Sequence, residues 1–408
     1  MVPETWELSR LDEISEKVMV GIASAATHAY SDSGIRMLRN LNIKEGWIDD
    51  SDILYVNQDY EKAYRNKRLR QGDILTVRTG YPGVSAVVPK EYEGAQCFTS
   101  LITRLDQHKA FPGFVCRYIN SEYGKKFISS GEAGGAQKNV NAGMLKRMII
   151  PLPPIPEQKK IAEILSTWDQ AITAMERLLK NSRQRKKGLM QQLLTGKKRL
   201  PGFDGAWEEV TLGSLFHRVT TRNDGQSTNV VTISGQRGLI RQQEFFKKSV
   251  ASETLDNYFL LKRGQFAYNK SYSNGYPMGA IKRLNRYEDG VVTTLYICFE
   301  LADERTADSD FYEQYFESGQ LIKGLMQIAH EGARAHGLLN VKPSDFFSLK
   351  VHKPPIDEQK AIARLLVTTD RELQAQKSRL EQLKIEKKAL MQQLLTGKRR
   401  VKLETEAA

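Results

Sequence analysis

Shifted by 201 residues, this sequence falls on itself. Residues 153–200 read PPIPEQKKIAEILSTWDQAITAMERLLKNSRQRKKGLMQQLLTGKKRL, and residues 354–401 read PPIDEQKAIARLLVTTDRELQAQKSRLEQLKIEKKALMQQLLTGKRRV. The two stretches align without a gap, about half of their positions are identical, and LMQQLLTGK recurs letter for letter. The same shift carries Trp6-Glu7 onto Trp207-Glu208, Leu11 onto Leu212, and Asn139-Val140 onto Asn340-Val341. Self-similarity at a fixed period marks one structural unit written more than once. Here the unit is a globular segment followed by a helix, and a chain that offers two similar faces predicts a partner that is itself bipartite.

With 408 residues, each repeat is long enough to bury its own core. A hydrophobic fraction of 40% and a charged fraction of 27% are those of an ordinary globular chain. The net charge of +13 and the pI near 9.4 are not ordinary. They suit a polyanionic partner, either nucleic acid or an acidic membrane surface, with a solvated basic surface as the equal alternative. Cys97, Cys116, Cys298 and the six histidines form no CxxC or HxxxH spacing. Neither a structural zinc site nor a disulfide framework is expected, which points to a reducing cytoplasm. The opening MVPETWELSRLDEIS has early acids and no apolar core, unlike a signal peptide. No run approaches the ~20 apolar residues of a membrane span, so a membrane partner is not expected.

Residues 1–150 mix short apolar runs with Gly, Pro, Asn and Asp. QGDILTVRTG (71–80), GVSAVVP (83–89) and QCFTSLITRL (96–105) predict strands bounded by turns. FPGFVCRYINSEYGKKFISSG (111–131) predicts a helix from the spacing of Phe114, Tyr118 and Phe127, with a glycine stop. Residues 202–353 repeat the outline, with a strand at Gly264–Tyr268, a strand over 291–301 and a helix over 310–326. Inside the globular parts the correspondence slips by several residues. The expectation is one scaffold with two different sets of loops.

Each 48-residue stretch opens on prolines and a Glu-Gln pair, both suited to the start of a helix. Ile161, Leu165, Trp168, Ile172, Met175 and Leu179 follow a 4-3-4-3-4 spacing. Ile362, Leu366, Leu373, Leu380, Leu383, Leu390 and Leu394 keep the same frame in the second copy, interrupted by Thr369, Gln376 and Lys387. This period predicts a coiled-coil seam whose partner is the other copy, the alternative being two helices packed on their own domains. A helix of ~40 residues is ~60 Å long, whereas a ~150-residue domain has a radius of gyration near ~15 Å. The second globular segment joins the end of the first helix to the start of the second, so parallel helices would stretch it along their whole length. Antiparallel helices bring its ends together and predict a pseudo-twofold dumbbell.

No catalytic constellation is legible. The TGKK and TGKR endings lack the first glycine and the hydroxyl of a phosphate-binding loop. There is no NPPY- or DPPY-like amide-methylation tetrapeptide and no glycine-rich cofactor loop after a strand. Acids near lysines, such as Glu386-Lys387, predict surface pairs. The chain reads as a binder. Residues 180–200 hold eight Lys or Arg and no acid, which suits either a phosphate track or a solvated helix face.

Two pairs of loops match between the repeats. VRTGYPG (77–83) faces NKSYSNGYPMG (269–279), and GGAQKNVN (134–141) faces GARAHGLLNV (332–341). Glycine lets backbone approach a partner closely, and the polar side chains suit phosphates and base edges. The candidate DNA-binding residues are therefore Arg78, Thr79, Tyr81, Gln137 and Lys138 in the first repeat, and Lys270, Tyr272, Tyr276, Arg334 and His336 in the second. Plain structural turns, and a cap on the following strand, are the alternatives. On the helices, Ile164, Leu178, Met190, Leu194, Leu365 and Leu395 lie off the seam. They predict an apolar stripe that a two-helix rod leaves for a protein partner.

PLPPIPEQKKIAEIL with LMQQLLTGKKRLPGF, the preceding GGAQKNVN, and QGDILTVRTG resemble the specificity subunits of type I restriction–modification systems. The resemblance covers essentially the whole chain, including its duplication. It implies an α+β architecture of two similar mixed α/β target recognition domains, 1–152 and 201–353. Conserved helical regions at 153–200 and 354–401 would form the antiparallel coiled coil, with a tail at 402–408. It further implies a split double-stranded DNA site, two docked methyltransferase subunits and motor–nuclease subunits. S-adenosylmethionine is then expected in the methyltransferase and ATP with magnesium in the motor–nuclease, with no cofactor, metal or catalytic residue in this chain. The rival expectation is a stand-alone DNA methyltransferase or nuclease with eroded motifs.

Overall fold

The computed structural model describes residues 2–24, 26–130, 139–245, 254–273, 275–329 and 339–403. The chain divides into two compact units, Met1–Glu176 with Arg379–Ala408, and Arg177–Ser378. The two long helices, Ile155–Leu193 and Ile356–Leu394, each contribute one part to either unit.

Both units rest on the same four-stranded antiparallel sheet. Its order in the first is Ser15–Val20, Leu101–Leu105, Ile74–Thr76, Ser85–Val87. In the second it is Phe216–Val219, Ile297–Leu301, Phe266–Asn269, Ala280–Arg283. A two-stranded ribbon closes each unit in identical register. Glu7 lies opposite Leu152, and Glu208 opposite Lys353, one repeat length further on. Periodicity alone thus located the shared scaffold.

Four expected elements need correction. The apolar run 96–105 is two strands, because Thr99 adopts φ 60 and redirects the chain. Gln96–Cys97 joins one sheet and Leu101–Leu105 another. The run 291–301 divides likewise between Asp289–Val292 and Ile297–Leu301. The single helix over 111–131 is also two, Pro112–Asn120 and Glu122–Ser130. Ser121 between them is extended, and its hydroxyl donates to the Tyr118 carbonyl at 2.6 Å. A Cβ at Gly124 would stand 2.1 Å from the Ile119 carbonyl oxygen, so only glycine admits this close turn. The second unit repeats the break, with helices Ser309–Glu317 and Ile322–Ile328 parted at Gly319, φ 80.

The units differ in what covers the shared sheet. The first adds a mixed sheet ordered Gln96–Cys97, Ile35–Leu38, Leu54–Val56, Tyr30–Ser31. The second adds the hairpin Val231–Ser234 with Gly238–Arg241, and the pair Phe259–Lys262 with Asp289–Val292. Its core is also more aromatic. Phe216 meets Phe266, Phe299 and Tyr312 edge to face at 5.3–5.8 Å, a geometry that adds to the stabilisation from burial.

The long helices run antiparallel inside each unit. In the first, Asp169 bonds Lys387 at 2.5 Å and Glu176 bonds Lys384 at 2.8 Å, so rising numbers on one helix meet falling numbers on the other. In the second, Lys186 bonds Asp370 at 2.6 Å and Arg199 bonds Glu358 at 2.5 Å. The seam is not uniform, however. Ile161, Leu165 and Leu394 belong to the core of the first unit, and Ile362 and Leu366 to that of the second. The helix ends are domain core, and the apolar period there serves the domain as well as the neighbouring helix.

The recurring letters of the helical stretches form a clasp. Gly196 (φ 69) and Gly397 (φ 73) end the last turn of each helix in the left-handed region that glycine favours. The chain then turns back, and Arg400 donates from Nε and Nη2 to the two carboxylate oxygens of buried Glu157 at 2.6 and 2.8 Å. Trp6 Nε1 donates to the same carboxylate at 3.2 Å. In the second unit Arg199 grips Glu358 at 2.5 and 2.6 Å, and Trp207 Nε1 donates at 2.9 Å. The carboxylate raises the pKa of Arg199, and Arg400 responds likewise to Glu157. The neighbouring glutamines staple loop to helix. Gln158 accepts from Phe111 N and donates to Pro153 O, while Gln359 accepts from Asp308 N and donates to Pro354 O.

Candidate nucleic-acid interface

The strand Ile74–Thr76 runs directly into the first candidate loop. Val77 and Val84 close its neck, with Val77 N donating to Val84 O at 2.8 Å and Gly83 N to Val77 O at 2.9 Å. Gly80 and Gly83 have φ 85 and 90. A Cβ on Gly83 would also collide with Ile128 Cδ1 at 2.6 Å. The tip projects Tyr81, 81% exposed. Thr79 accepts from Asn40 Nδ2 at 3.1 Å, and Arg78 donates from Nε to Asn139 Oδ1 at 3.2 Å.

That last bond brings the two candidate loops of the first repeat together. Val140 N donates to Arg78 O at 3.0 Å, and Thr79 bridges Asn139. The second unit does the same at the matching place. Leu339 N donates to Lys270 O at 3.0 Å, and Lys270 Nζ to Val341 O at 3.4 Å. Segments some sixty residues apart therefore converge on one surface in each unit. Gln137, Lys138, Arg334 and His336 lie outside the described residues.

Exposure separates the remaining candidates. Tyr272 is 65% exposed and resembles Tyr81 in projecting from its loop. Lys270 is half-buried, and burial first, then the charge of Arg218, depresses its ammonium pKa. Tyr276 is a correction. Its hydroxyl donates to Gly235 O at 2.7 Å or to Glu317 at 2.9 Å and accepts from Lys282 at 2.9 Å. Lys282 also stands 4.7 Å over its ring. Burial pushes the phenol pKa up, and Glu317 adds to the shift. Tyr276 holds the wall of the loop together, and its hydrogen-bonding capacity is spent there.

The off-seam helix residues divide in the same way. Leu178 and Leu365 are exposed and Ile164 is half-buried. Met190, Leu194 and Leu395 are not an exposed stripe. Met190 and Leu194 pack in the core of the second unit and Leu395 in that of the first, since the ends of the helices double as domain core. Ile385, which periodicity did not single out, is 69% exposed. Among the eight cations of residues 180–200, Lys186 and Arg199 are held by Asp370 and Glu358 and are not free for phosphates.

The thiols offer no nucleophile. Burial pushes Cys97, Cys116 and Cys298 up to about 12. Among the described residues no group of His, Cys, Asp and Glu has the arrangement of a metal site, and no helix is long and apolar enough to cross a membrane. What the fold builds is one basic, glycine-hinged, tyrosine-tipped surface, made twice.

Residues 3–182 match the sequence model of the type I restriction modification DNA specificity domain. The MjaX specificity-subunit sequence of Methanocaldococcus jannaschii is 25% identical over 98% of this chain and 95% of its own length. The type I restriction enzyme MjaVIII specificity subunit of the same organism is 24% identical over 98% and 94%. The HsdS subunit of Thermoanaerobacter tengcongensis shares the fold, with a TM-score of 0.54 over 97% of this chain and 98% of that one, at 17% identity. Along nearly its whole length this chain is similar to specificity subunits of type I restriction–modification systems, and residues 3–182 carry the match to their DNA specificity domain.

Proposed function

We propose that this chain supplies DNA sequence specificity to a type I restriction–modification complex, reading a two-part double-stranded site and scaffolding the methyltransferase and motor–nuclease subunits. One observation carries the reading. Each unit brings its two candidate loops to the same edge of the same sheet, while the layers around that edge differ between units. A constant scaffold with variable walls is what two different half-sites require. Tyr81, Arg78 and Thr79 serve the first half-site, and Tyr272 and Lys270 the second. Two methyltransferases, one for each repeat, take up exposed helix positions such as Leu178 and Leu365. S-adenosylmethionine belongs to those subunits, and ATP with magnesium to the motor–nuclease.

The test is a methylome comparison of cells with and without the chain. A two-part, non-palindromic motif should disappear with the gene, and a methylome that does not change would refute the proposal. Tyr81→Ala narrows the test to one loop. A base-reading contact contributes ~1–3 kcal/mol, so specific binding by the assembled complex should fall about tenfold or more. The melting temperature should not move, because the ring buries almost nothing. Unchanged affinity with a lowered melting temperature would make the loop a structural turn.

A further inference from the structure

In the second unit a cleft of about 780 Å³ lies between the long helices, the strand Ala280–Arg283 and the turn at Gly235–Gly238. Its charges do not balance. Three acids line it, and each is occupied. Asp370 accepts from Lys186 at 2.6 Å and from Gln314 Nε2 at 2.8 Å. Glu317 accepts from Lys282 and from the Tyr276 hydroxyl. Glu313 pairs with Arg283 at 2.7 Å and accepts from Asn285 at 2.8 Å. Arg183 and Lys377, one on each long helix, line the same cleft and have no acidic partner among the described residues.

The first unit shows what these positions do when they are satisfied internally. Under the 201-residue shift Arg183 corresponds to Lys384 and Lys377 to Glu176. Lys384 and Glu176 close an ion pair at 2.8 Å. In the second unit the acid of that pair has become a lysine, so two cations stand where the repeat elsewhere has a neutral pair. Both side chains are exposed, so an anion entering the cleft meets two cations with no acid set against either among the described residues. The cleft also continues the candidate loop, since Tyr276 forms part of its wall.

We infer that this cleft takes phosphate groups of the DNA backbone beside the second half-site, with Arg183 and Lys377 of the long helices as their ligands. The inference rests on the DNA-reading function proposed above. A cleft that opens beside a recognition loop suits a continuous backbone better than a free phosphate compound. The long helices of the second unit then contribute to DNA affinity through sequence-independent contacts.

Lys377→Glu tests this, because it installs the ion pair that the first repeat already tolerates. The assembled complex with its methyltransferase subunits is titrated with a duplex carrying its own methylated motif, from 50 to 200 mM salt. Each lost phosphate contact lowers the slope of log K against log salt by ~0.9. Two lost contacts make the variant roughly tenfold less sensitive to that fourfold rise. Its affinity at low salt should fall, its methylated motif should stay the same, and its melting temperature should not drop. A wild-type slope in the variant overturns the inference and leaves the specificity reading standing. So does competition by millimolar pyrophosphate with a wild-type DNA slope in the variant, which would assign the cleft to a small phosphate compound. A change in the second half of the motif also overturns it, since backbone contacts carry no sequence. A wild-type complex that fails to bind the duplex sinks the specificity reading and this inference together.

Discussion

Glu358→Ala is expected to destabilise the second unit by about 3–5 kcal/mol, the range for removing one partner of a buried ion pair. The carboxylate is fully buried and has three donors aimed at it, two from Arg199 and one from Trp207. Its removal leaves a guanidinium and an indole N–H facing each other with no acceptor. For a unit of this size each kcal/mol moves the melting temperature by roughly 2–4 °C, so calorimetry should show a fall of about 10 °C. Glu157→Ala should act on the first unit through Arg400 and Trp6. A shift below 2 °C in both variants would mean that the clasp is a surface contact of little weight.

Exchange of residues 202–353 for those of another specificity subunit is expected to change one half of the methylated motif completely and the other half not at all. The ends of the exchanged segment make this feasible. Glu208 pairs with Lys353 in the closing ribbon, so the graft begins and ends at adjacent strands. Both long helices and the clasp residue Glu358 lie outside it. The methylome of cells carrying the hybrid reads the result directly. A motif altered in both halves would show that the recognition domains do not read independently.

The repeat and the long helices were legible because they repeat over many residues, and because periods of 3.5 and 2 survive small errors. The ribbon register followed the 201-residue shift without deviation. Breaks inside apolar runs were not legible. The hydrophobic pattern continues straight through Ser121 and Thr99, and only the backbone angles there reveal two elements. The convergence of the candidate loops was legible only as likeness between repeats. The bonds from Arg78 to Asn139 and from Leu339 to Lys270 span about sixty residues or more, beyond the reach of any local pattern. Sequence does not show that Glu317 and Lys282 lie within reach of the Tyr276 hydroxyl. The clasp is legible in the repeat itself. Trp6 and Trp207, the Glu-Gln pairs and the arginine after TGK all recur at the same offset, and residues that recur together in a repeat are candidates for mutual contact.

Arg400 also donates to Thr5 at 3.0 Å, which ties residues at opposite extremes of the numbering into the first unit. In the numbering, the second unit is a single uninterrupted stretch that lies between the two segments of the first. During synthesis, chains emerge from the ribosome at ~5–20 residues per second and domains fold as units. Residues 177–378 can therefore close on themselves before the first unit has received its last helix. The portion translated earliest is completed last, and for ~10–40 seconds it waits with Glu157 and the core around Ile161 uncovered. In the cell that interval, more than the finished fold, is where this protein is exposed to chaperones and proteases.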